Sequence, residues 1–293
     1  SMARNSEYNV SKSIDFKNLF NLIKNIFSLG IRGNTLFSII SQLINEKIRA
    51  EKTGASIYLF GAHIFSQFYL TNGLEAKLII KILDNDAIFP VGKVYCVGRN
   101  YADHAAEMGV TLDREHPFFF SKPAQSITQA GSIPFPTQTK DLHHEVELVV
   151  CIGTKCSNVK KELAHENIFG YGVGVDLTKR DLQDIAKKNG KPWDLSKGFD
   201  NSAPISKIVK NEKAIMKHGE IKLSVNGIEK QSSNLSNMTW GVDEIISWLS
   251  KFITLNPGDI IFTGTPAGVG KLNPGDQIDA SIESVGSFSF KLL

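Results

Sequence analysis

Three carboxylate residues carry the clearest chemical signal in the sequence. Glu145 and Glu147 lie two positions apart in an apolar run, and alternation along a strand places both side chains on the same face. Carboxylates about 7 Å apart along a strand repel each other, so burying both requires a countercharge. Asp176 ends a glycine-rich apolar run that predicts a second buried strand. Three carboxylates completed by water suit octahedral Mg²⁺ or Mn²⁺, so these residues predict a divalent-metal site. The same spacing also fits a solvated sheet face whose apolar side points inward.

A histidine and a glutamate on a predicted helix form a second chemical unit. His104 and Glu107 lie three positions apart in the helical segment from Ala102 to Met108, so they share one helix face. A carboxylate that orients an imidazole favours proton transfer near neutral pH. A solvated surface pair is the alternative interpretation of this spacing.

Polar and cationic residues follow the predicted carboxylate strands. Arg180 and Gln183 lie one turn apart on a helix predicted over residues 178–190, close to the predicted metal site. Lys197 lies in an irregular segment over residues 192–200. A loop of this kind is compatible with a binding wall, although an exposed surface loop is the commoner outcome.

A glycine-rich segment near the end of the chain predicts an anion-binding loop. Glycines at positions 264, 268 and 270 let backbone amides approach an anion, and Thr265 adds a hydroxyl. No Gly-Lys-Ser/Thr follows, so the segment is not a Walker motif. Lys122 ends an apolar strand and supplies a further cation.

The elements that must position these residues change character along the chain. Apolar residues recur at helical spacing over residues 16–27 and 39–48, which predicts a helical N-terminal extension over residues 1–87. Beyond it, short strands alternate with turns and a few helices, and Asn226-Gly227 predicts a β-hairpin. The sequence therefore predicts an α+β, mainly β domain over residues 88–293.

Composition excludes several classes of function. The net charge of +3 over 293 residues is too balanced for a nucleic-acid surface. No apolar run reaches the roughly 18 residues that predict a membrane span. Three cysteines without C-x-x-C spacing indicate a reducing compartment, so we expect a cytoplasmic protein. Five basic residues against two acidic ones over residues 3–32 leave a mitochondrial transit peptide, and hence the mitochondrial matrix, as the alternative.

Five motifs are distinctive in combination: GRNYADHAAEM at 98–108, FSKP at 120–123, HHEVEL at 143–148, GVDLTKRD at 174–181 and TGTPAGVG at 263–270. Together they resemble the fumarylacetoacetate hydrolase family, most closely its branch of acylpyruvate hydrolases and oxaloacetate decarboxylases. The match runs in consistent order from about residue 88 to residue 293, whereas residues 1–87 match nothing in this branch.

The resemblance implies a mixed β fold with a rolled β-sandwich core, assembled as a homodimer. It implies Mg²⁺ or Mn²⁺ held at Glu145, Glu147 and Asp176, and a catalytic dyad of His104 and Glu107 on a lid. It further implies a catalytic role for Lys197 and substrate contacts at Arg180, Gln183, Thr265 and Lys122.

The expected function is cleavage of a C–C bond in an acylpyruvate. Such 2,4-dioxo acids, acetylpyruvate or fumarylpyruvate for example, would yield pyruvate and a carboxylic acid, and a small dicarbonyl acid is the expected partner. Oxaloacetate decarboxylation uses the same chelation without water attack and stays open, as does isomerisation or hydration of related dicarbonyl acids. A non-catalytic metal- or ligand-binding protein of the same fold is the alternative from a different class.

Overall fold

The structure, a computed structural model, describes residues 79–83, 88–109, 114–211 and 214–293. The chain divides into two units, Ser1–Leu74 and Glu75–Leu293, and every described residue belongs to the second. The helices predicted within residues 1–87 lie outside the described residues. Strand β1 (Ile79–Lys81) pairs antiparallel with β2 (Ile88–Pro90), so this pairing joins residues on both sides of the boundary predicted at residue 88.

A six-stranded sheet forms the centre of the described unit. The strand between Val146 and Ile152 is buried along its whole length, which explains why its sequence is a continuous apolar run around Glu147. In spatial order the sheet consists of β12 (Val209–Lys210), β9 (Ile168–Val175), β8 (Val146–Ile152), β15 (Ile260–Phe262), β3 (Val94–Gly98) and β4 (Phe118–Lys122).

A five-stranded sheet packs against one face of the first. In spatial order it consists of β14 (Ile228–Asn234), β13 (Glu220–Val225), β17 (Gln277–Ile282), β18 (Gly286–Leu292) and β6 (Ser132–Ile133). The turn between β13 and β14 has positive φ at Asn226 (52°) and Gly227 (76°). Both values suit a two-residue type I′ turn, so the hairpin predicted from Asn-Gly is confirmed.

Smaller sheets and helices surround these two layers. The three-stranded sheet has the order β10 (Thr178–Lys179), β7 (Leu142–His144), β16 (Gly270–Leu272), and β11 (Ala203–Pro204) pairs with β5 (Ile127–Thr128). The described α-helices are α1 (Ala102–Glu107), α2 (Arg180–Lys188), α3 (Asp194–Lys197) and α4 (Val242–Phe252). Short 3₁₀ helices span Ala124–Ser126, Lys161–Asn167 and Leu235–Asn237.

The hydrophobic core has two parts, one on each face of the six-stranded sheet. Leu148 and Val150 of β8 belong to the cluster that also contains Leu223 and Phe290 of the five-stranded sheet. Alternate residues of the same strands point the other way, into a second cluster that includes Phe262. This arrangement confirms the predicted, mainly β sandwich. None of the helices within the described segments is long and apolar enough to cross a membrane.

Candidate active site

The three predicted metal-ligating carboxylates meet at one end of the paired strands β8 and β9. Glu147 lies on β8 opposite Gly174 of β9. Glu145 lies between β7 and β8, where the chain passes from one sheet to another, so the single strand predicted through this position is interrupted there. Asp176 directly follows β9, and its backbone N–H donates to the Glu145 carbonyl at 2.8 Å. Strand register therefore brings together carboxylates from two separate parts of the sequence.

These carboxylates form a buried oxygen-donor set. One ligand oxygen from each of Glu145, Glu147 and Asp176 lies within 4.8 Å of the other two, and all three residues are buried. Asp176 Oδ1 is buried and accepts no hydrogen bond from the described residues. Lys122 Nζ lies 2.8 Å from that oxygen, but outside hydrogen-bonding geometry. Hard divalent cations prefer oxygen ligands of this kind, so the residues fit Mg²⁺ or Mn²⁺.

Two cations keep Glu145 ionised. Lys197 Nζ donates to Glu145 Oε2 at 2.8 Å, and the Arg180 guanidinium donates to Oε1. Burial alone would raise the pKa of Glu145, but the charges of Lys197 and Arg180 outweigh it and hold the pKa well below its usual range. Glu145 is therefore an anion in the folded protein.

Glu147 shows the opposite shift. Burial, together with the charges of Asp176 and Glu145, raises the pKa of Glu147 well above its usual range. Its Oε2 accepts a hydrogen bond from the Gly264 backbone N–H at 2.7 Å. A divalent cation would offset the repulsion among the three carboxylates and favour the ionised form of Glu147.

Lys197 is the central countercharge of the site. Short helix α3 carries it, and its Nζ also donates to Asp176 Oδ2 and Thr178 Oγ1, each at 2.6 Å. Burial would lower the pKa of Lys197, whereas Asp176 and Glu145 raise it, and the net shift is upward. In the folded protein Lys197 is therefore an ammonium ion, a hydrogen-bond donor and a fixed positive charge.

Helix α2 positions Arg180 and Gln183. Arg180 Nη1 donates to Gln183 Oε1 at 2.5 Å, and Arg180 Nε donates to His143 Nδ1 at 3.4 Å. His143 Nε2 in turn lies 3.1 Å from Asp141 Oδ1. These contacts hold the guanidinium against Glu145.

His104 and Glu107 form a hydrogen-bonded pair on α1. His104 Nδ1 lies 3.1 Å from Glu107 Oε2, and His104 is only 6% exposed. The other Glu107 oxygen accepts from the Gly268 backbone N–H at 3.1 Å, which ties α1 to the glycine-rich loop. Because a carboxylate only accepts, this contact selects the neutral tautomer that carries its proton on Nδ1 and has the free lone pair on Nε2.

A cavity in the described unit joins most of the predicted residues. His104, the three carboxylates, Arg180, Gln183, Lys197 and Thr265 all line it. Glu107 supports this wall through His104. Lys122 does not line the cavity: its side chain is 0% exposed, and Nζ donates to the Ser202 carbonyl and hydroxyl, each at 3.0 Å. This position favours a structural role beside Asp176 over the predicted substrate contact.

The Thr265 loop is held by a buried asparagine. Asn100 is 0% exposed, and its amide donates to the Thr263 carbonyl at 2.7 Å and the Trp240 carbonyl at 2.9 Å. Gly264 has φ of +97°, and a Cβ there would lie 2.6 Å from Asn100 Cβ, so glycine is required. The loop backbone consequently approaches Glu147 closely enough to donate to it.

Several residues of the site were not predicted from the sequence. Arg99, Lys187, Phe120 and Trp193 line the cavity, and buried Gln231 contacts Thr265 from outside it. Trp193 lies within residues 192–200, the segment whose sequence is compatible with a binding wall. Arg99 lies within the GRNYADHAAEM motif and could have been found there, whereas no local pattern marks Gln231.

Fold and site together define the class of protein: the chain belongs to the fumarylacetoacetate hydrolase family. A family model described as the C-terminal region of fumarylacetoacetate (FAA) hydrolase matches residues 93–292. The family predicted from the five motifs is thereby confirmed.

The relatives within this family carry two activities in their names. The chain is 44% identical over 201 residues to the mitochondrial oxaloacetate tautomerase FAHD1 of Homo sapiens, covering 68% of this chain and 90% of that protein. It is 41% identical over 185 residues to a fumarylpyruvate hydrolase of a Ralstonia species, covering 62% and 96%. The structure of a fumarylpyruvate hydrolase from Pseudomonas aeruginosa in complex with Mn²⁺ and pyruvate matches with a TM-score of 0.73 and 41% identity, covering 75% of this chain and 97% of that one.

Proposed function

We propose that this chain is a divalent-metal-dependent hydrolase that cleaves acylpyruvates to pyruvate and a carboxylic acid. The observation that carries the proposal is the convergence of the buried carboxylates and the His104–Glu107 pair on one cavity. The Mn²⁺ and pyruvate bound by the Pseudomonas aeruginosa fumarylpyruvate hydrolase support the same metal and product class.

Glu145, Glu147 and Asp176 would hold the metal. A divalent cation there supplies Lewis-acid stabilisation for the negative charge that develops on the pyruvyl fragment. Thr265, carried by the glycine-rich loop, holds the substrate carboxylate through its hydroxyl. Lys197 and Gln183 face the same cavity. Gln183 stabilises the oxyanion that forms at C4 through its amide N–H, and Lys197 does so through its positive charge, because its three N–H groups are held by Glu145, Asp176 and Thr178.

His104 is the proposed general base. Its Nε2 takes a proton from water while the water oxygen bonds to the C4 carbonyl carbon. The C3–C4 bond then breaks, and its electron pair stays on the pyruvyl C3. The proton that His104 took from water is returned to C3, which completes pyruvate and regenerates the neutral imidazole. Glu107 keeps the imidazole in the required tautomer and stabilises the cation that forms on it.

Chemistry on oxaloacetate is the second candidate function. The 44% identity to oxaloacetate tautomerase FAHD1 specifically favours it. Oxaloacetate has the same adjacent carboxylate and 2-oxo group, and its keto–enol interconversion or decarboxylation requires no water attack on a carbonyl carbon. The two candidates therefore differ in their products.

Product analysis separates these functions. The full chain, supplied with Mg²⁺, is incubated with acetylpyruvate, fumarylpyruvate and oxaloacetate in parallel, and the products are identified by NMR. We expect equimolar pyruvate and acetate from acetylpyruvate, and equimolar pyruvate and fumarate from fumarylpyruvate. Unchanged 2,4-dioxo acids beside converted oxaloacetate would replace the hydrolase with the second candidate. Inertness toward all three would contradict both functions and favour a binding protein.

We further propose residues 88–293 as the catalytic domain of a homodimer, with residues 1–87 as an extension, and a cytoplasmic location. The three free thiols Cys96, Cys151 and Cys156 support a reducing compartment. The mitochondrial matrix is the alternative, because relatives named FAHD1 are mitochondrial. Light scattering on the purified chain tests the dimer, and fractionation of cells that express it tests the location.

A further inference from the structure

Strand β14 presents one side chain to the interior. Of its seven residues, from Ile228 to Asn234, Gln231 alone is buried, with 0% exposure. The pairing with β13 shifts register between Leu223 and Ser224, which makes Lys230 the extra residue of a bulge. Bulges re-aim neighbouring side chains and are enriched beside active sites. This bulge precedes the one position at which a polar side chain enters the core from β14.

The buried amide of Gln231 uses its full hydrogen-bonding capacity. Its carbonyl oxygen accepts from the Val146 backbone N–H and from His144 Nδ1, each at 3.0 Å. Its amide nitrogen donates to Thr265 Oγ1 and to the Pro266 carbonyl, each at 2.8 Å. Val146 N–H only donates and the Pro266 carbonyl only accepts, so the orientation of the amide is fixed.

This orientation determines what Thr265 can offer to a ligand. A hydroxyl has one proton, and a Thr265 oxygen that accepts from Gln231 must direct that proton elsewhere. Among the described residues, no protein acceptor takes the proton, and Thr265 lines the cavity. We propose that Gln231 is a positioning residue, which turns the Thr265 hydroxyl into a donor aimed at the carboxylate of the pyruvyl group. The proposal rests on the carboxylate-binding role given to Thr265 in the proposed function.

The loop that carries Thr265 is packed to maintain this contact. Gly268 has φ of +97°, and a Cβ there would lie 2.0 Å from the Lys230 carbonyl oxygen. The loop therefore rests directly on the bulge that precedes Gln231. At the other end of the Gln231 amide, the backbone N–H that donates to it belongs to Val146, which lies between Glu145 and Glu147 in the sequence. Gln231 thus connects the metal-ligating strand to the carboxylate-binding loop.

Substitution of Gln231 by glutamate tests the donor side alone. A carboxylate oxygen can still accept from Val146 N–H and His144. The second oxygen carries at most one proton, whether the side chain is ionised or neutral, so Thr265 and Pro266 cannot both receive a hydrogen bond. Gln129→Glu is the matched control, because that amide also bridges two backbone groups, Lys81 N at 2.9 Å and Ser206 O at 2.8 Å, away from the cavity.

The readouts are the Kd for pyruvate in the presence of Mg²⁺ and the Kd for Mn²⁺ alone, both by calorimetry on the full chain. Thr265→Val and Gln231→Glu should each weaken pyruvate binding by about tenfold to hundredfold, the range for a lost hydrogen bond to a charged group. The double variant should bind pyruvate no more weakly than Thr265→Val, because both changes remove one interaction. The Kd for Mn²⁺ should not rise, and Gln129→Glu should match the wild type.

Other outcomes overturn the inference. If Thr265→Val loses affinity while Gln231→Glu does not, or if the two losses add, Gln231 does not act through Thr265, and the proposed function stands. If Thr265→Val binds pyruvate normally, or the wild type does not bind it, the carboxylate-binding role in the proposed function fails and the inference fails with it. Should Gln231→Glu not fold, a crystal structure of the wild type with Mg²⁺ and pyruvate decides. Thr265 Oγ1 should lie about 2.5–2.7 Å from the pyruvate carboxylate while keeping Gln231, and a separation beyond about 3.5 Å would overturn the proposal.

Discussion

Replacing Lys197 by methionine should make the folding of this protein depend on metal. Lys197 Nζ lies 2.8 Å from Glu145 Oε2 and 2.6 Å from Asp176 Oδ2, and the residue is 2% exposed. Removing one partner of a buried ion pair costs about 3–5 kcal/mol, because the remaining charge stays buried without compensation. Here two carboxylates lose their shared cation. We expect the metal-free variant to melt about 6–20 °C lower, at roughly 2–4 °C per kcal/mol for a unit of this size.

A divalent cation should restore most of this loss. Mg²⁺ held by Glu145, Glu147 and Asp176 would replace the missing positive charge, and at a hundred times its Kd for the variant it adds about 2.7 kcal/mol to the folded state. The wild type should gain less, because the Lys197 ammonium repels the ion. Differential scanning calorimetry of the variant and the wild type, with EDTA and with Mg²⁺, measures both effects. Lys187→Met is the control, since its side chain is 28% exposed and its Nζ lies 3.6 Å from Oδ1 of the exposed Asp184. An equal loss with and without Mg²⁺, or a loss below about 1 kcal/mol in EDTA, would refute the reasoning.

Three further predictions follow from the site and its supports. His104→Ala should lower kcat for acetylpyruvate by about 10²–10⁴-fold, and Glu107→Gln should lower it less, as measured by pyruvate release. Equal rates for His104→Ala and wild type would show that His104 is not the general base. Burial alone would raise the pKa of Asp181, but hydrogen bonds from the Lys140 N–H and the Thr139 hydroxyl bring it below its ordinary value. The ionised Asp181 therefore stabilises the fold above about pH 4, and this contribution is lost as the pH falls through the pKa of the folded state. Urea denaturation should therefore show Asp181→Asn less stable than wild type at pH 7, and this difference should shrink as the pH falls below about 4. A difference that stays constant as the pH falls would contradict this. Gly268→Ala should lose more stability and activity than Gly275→Ala. Both glycines have φ above +90°, but only at Gly268 would an added Cβ meet a carbonyl oxygen, that of Lys230, at 2.0 Å. Similar losses of stability in the two variants, measured by denaturation, would contradict the packing argument.

The carboxylate site could be predicted because each of its residues belongs to a recognisable local sequence pattern. The alternation of Glu145 and Glu147, and the end of an apolar run at Asp176, are properties of short segments. The three carboxylates come together only because of the antiparallel register of β8 and β9. No local pattern in the sequence specifies this register, but the burial of both strands enforces it. The break at Glu145, between β7 and β8, could not be predicted, because it arises where two sheets diverge.

Lys122 and Gln231 show why other parts of the site escaped prediction. A lysine at the end of an apolar strand is the same pattern whether it faces a substrate or a set of carbonyls. Its partners, Ser202 and Leu177, come from distant parts of the chain. Gln231 lies in a strand whose other six residues are polar or exposed, so its burial results from a bulge and from the loop that packs over it. Long-range packing, rather than local propensity, places both side chains.

The most direct test of the central claim is a Mg²⁺ titration of chelator-stripped protein with acetylpyruvate as substrate. The buried donor set of Glu145, Glu147 and Asp176 predicts negligible pyruvate release without metal and a saturable rise that is complete at one bound ion per chain. Asp176→Asn should shift the titration to higher Mg²⁺ concentration. Full activity in stripped protein, or an Asp176→Asn variant that saturates at the same Mg²⁺ concentration as the wild type, would contradict the account.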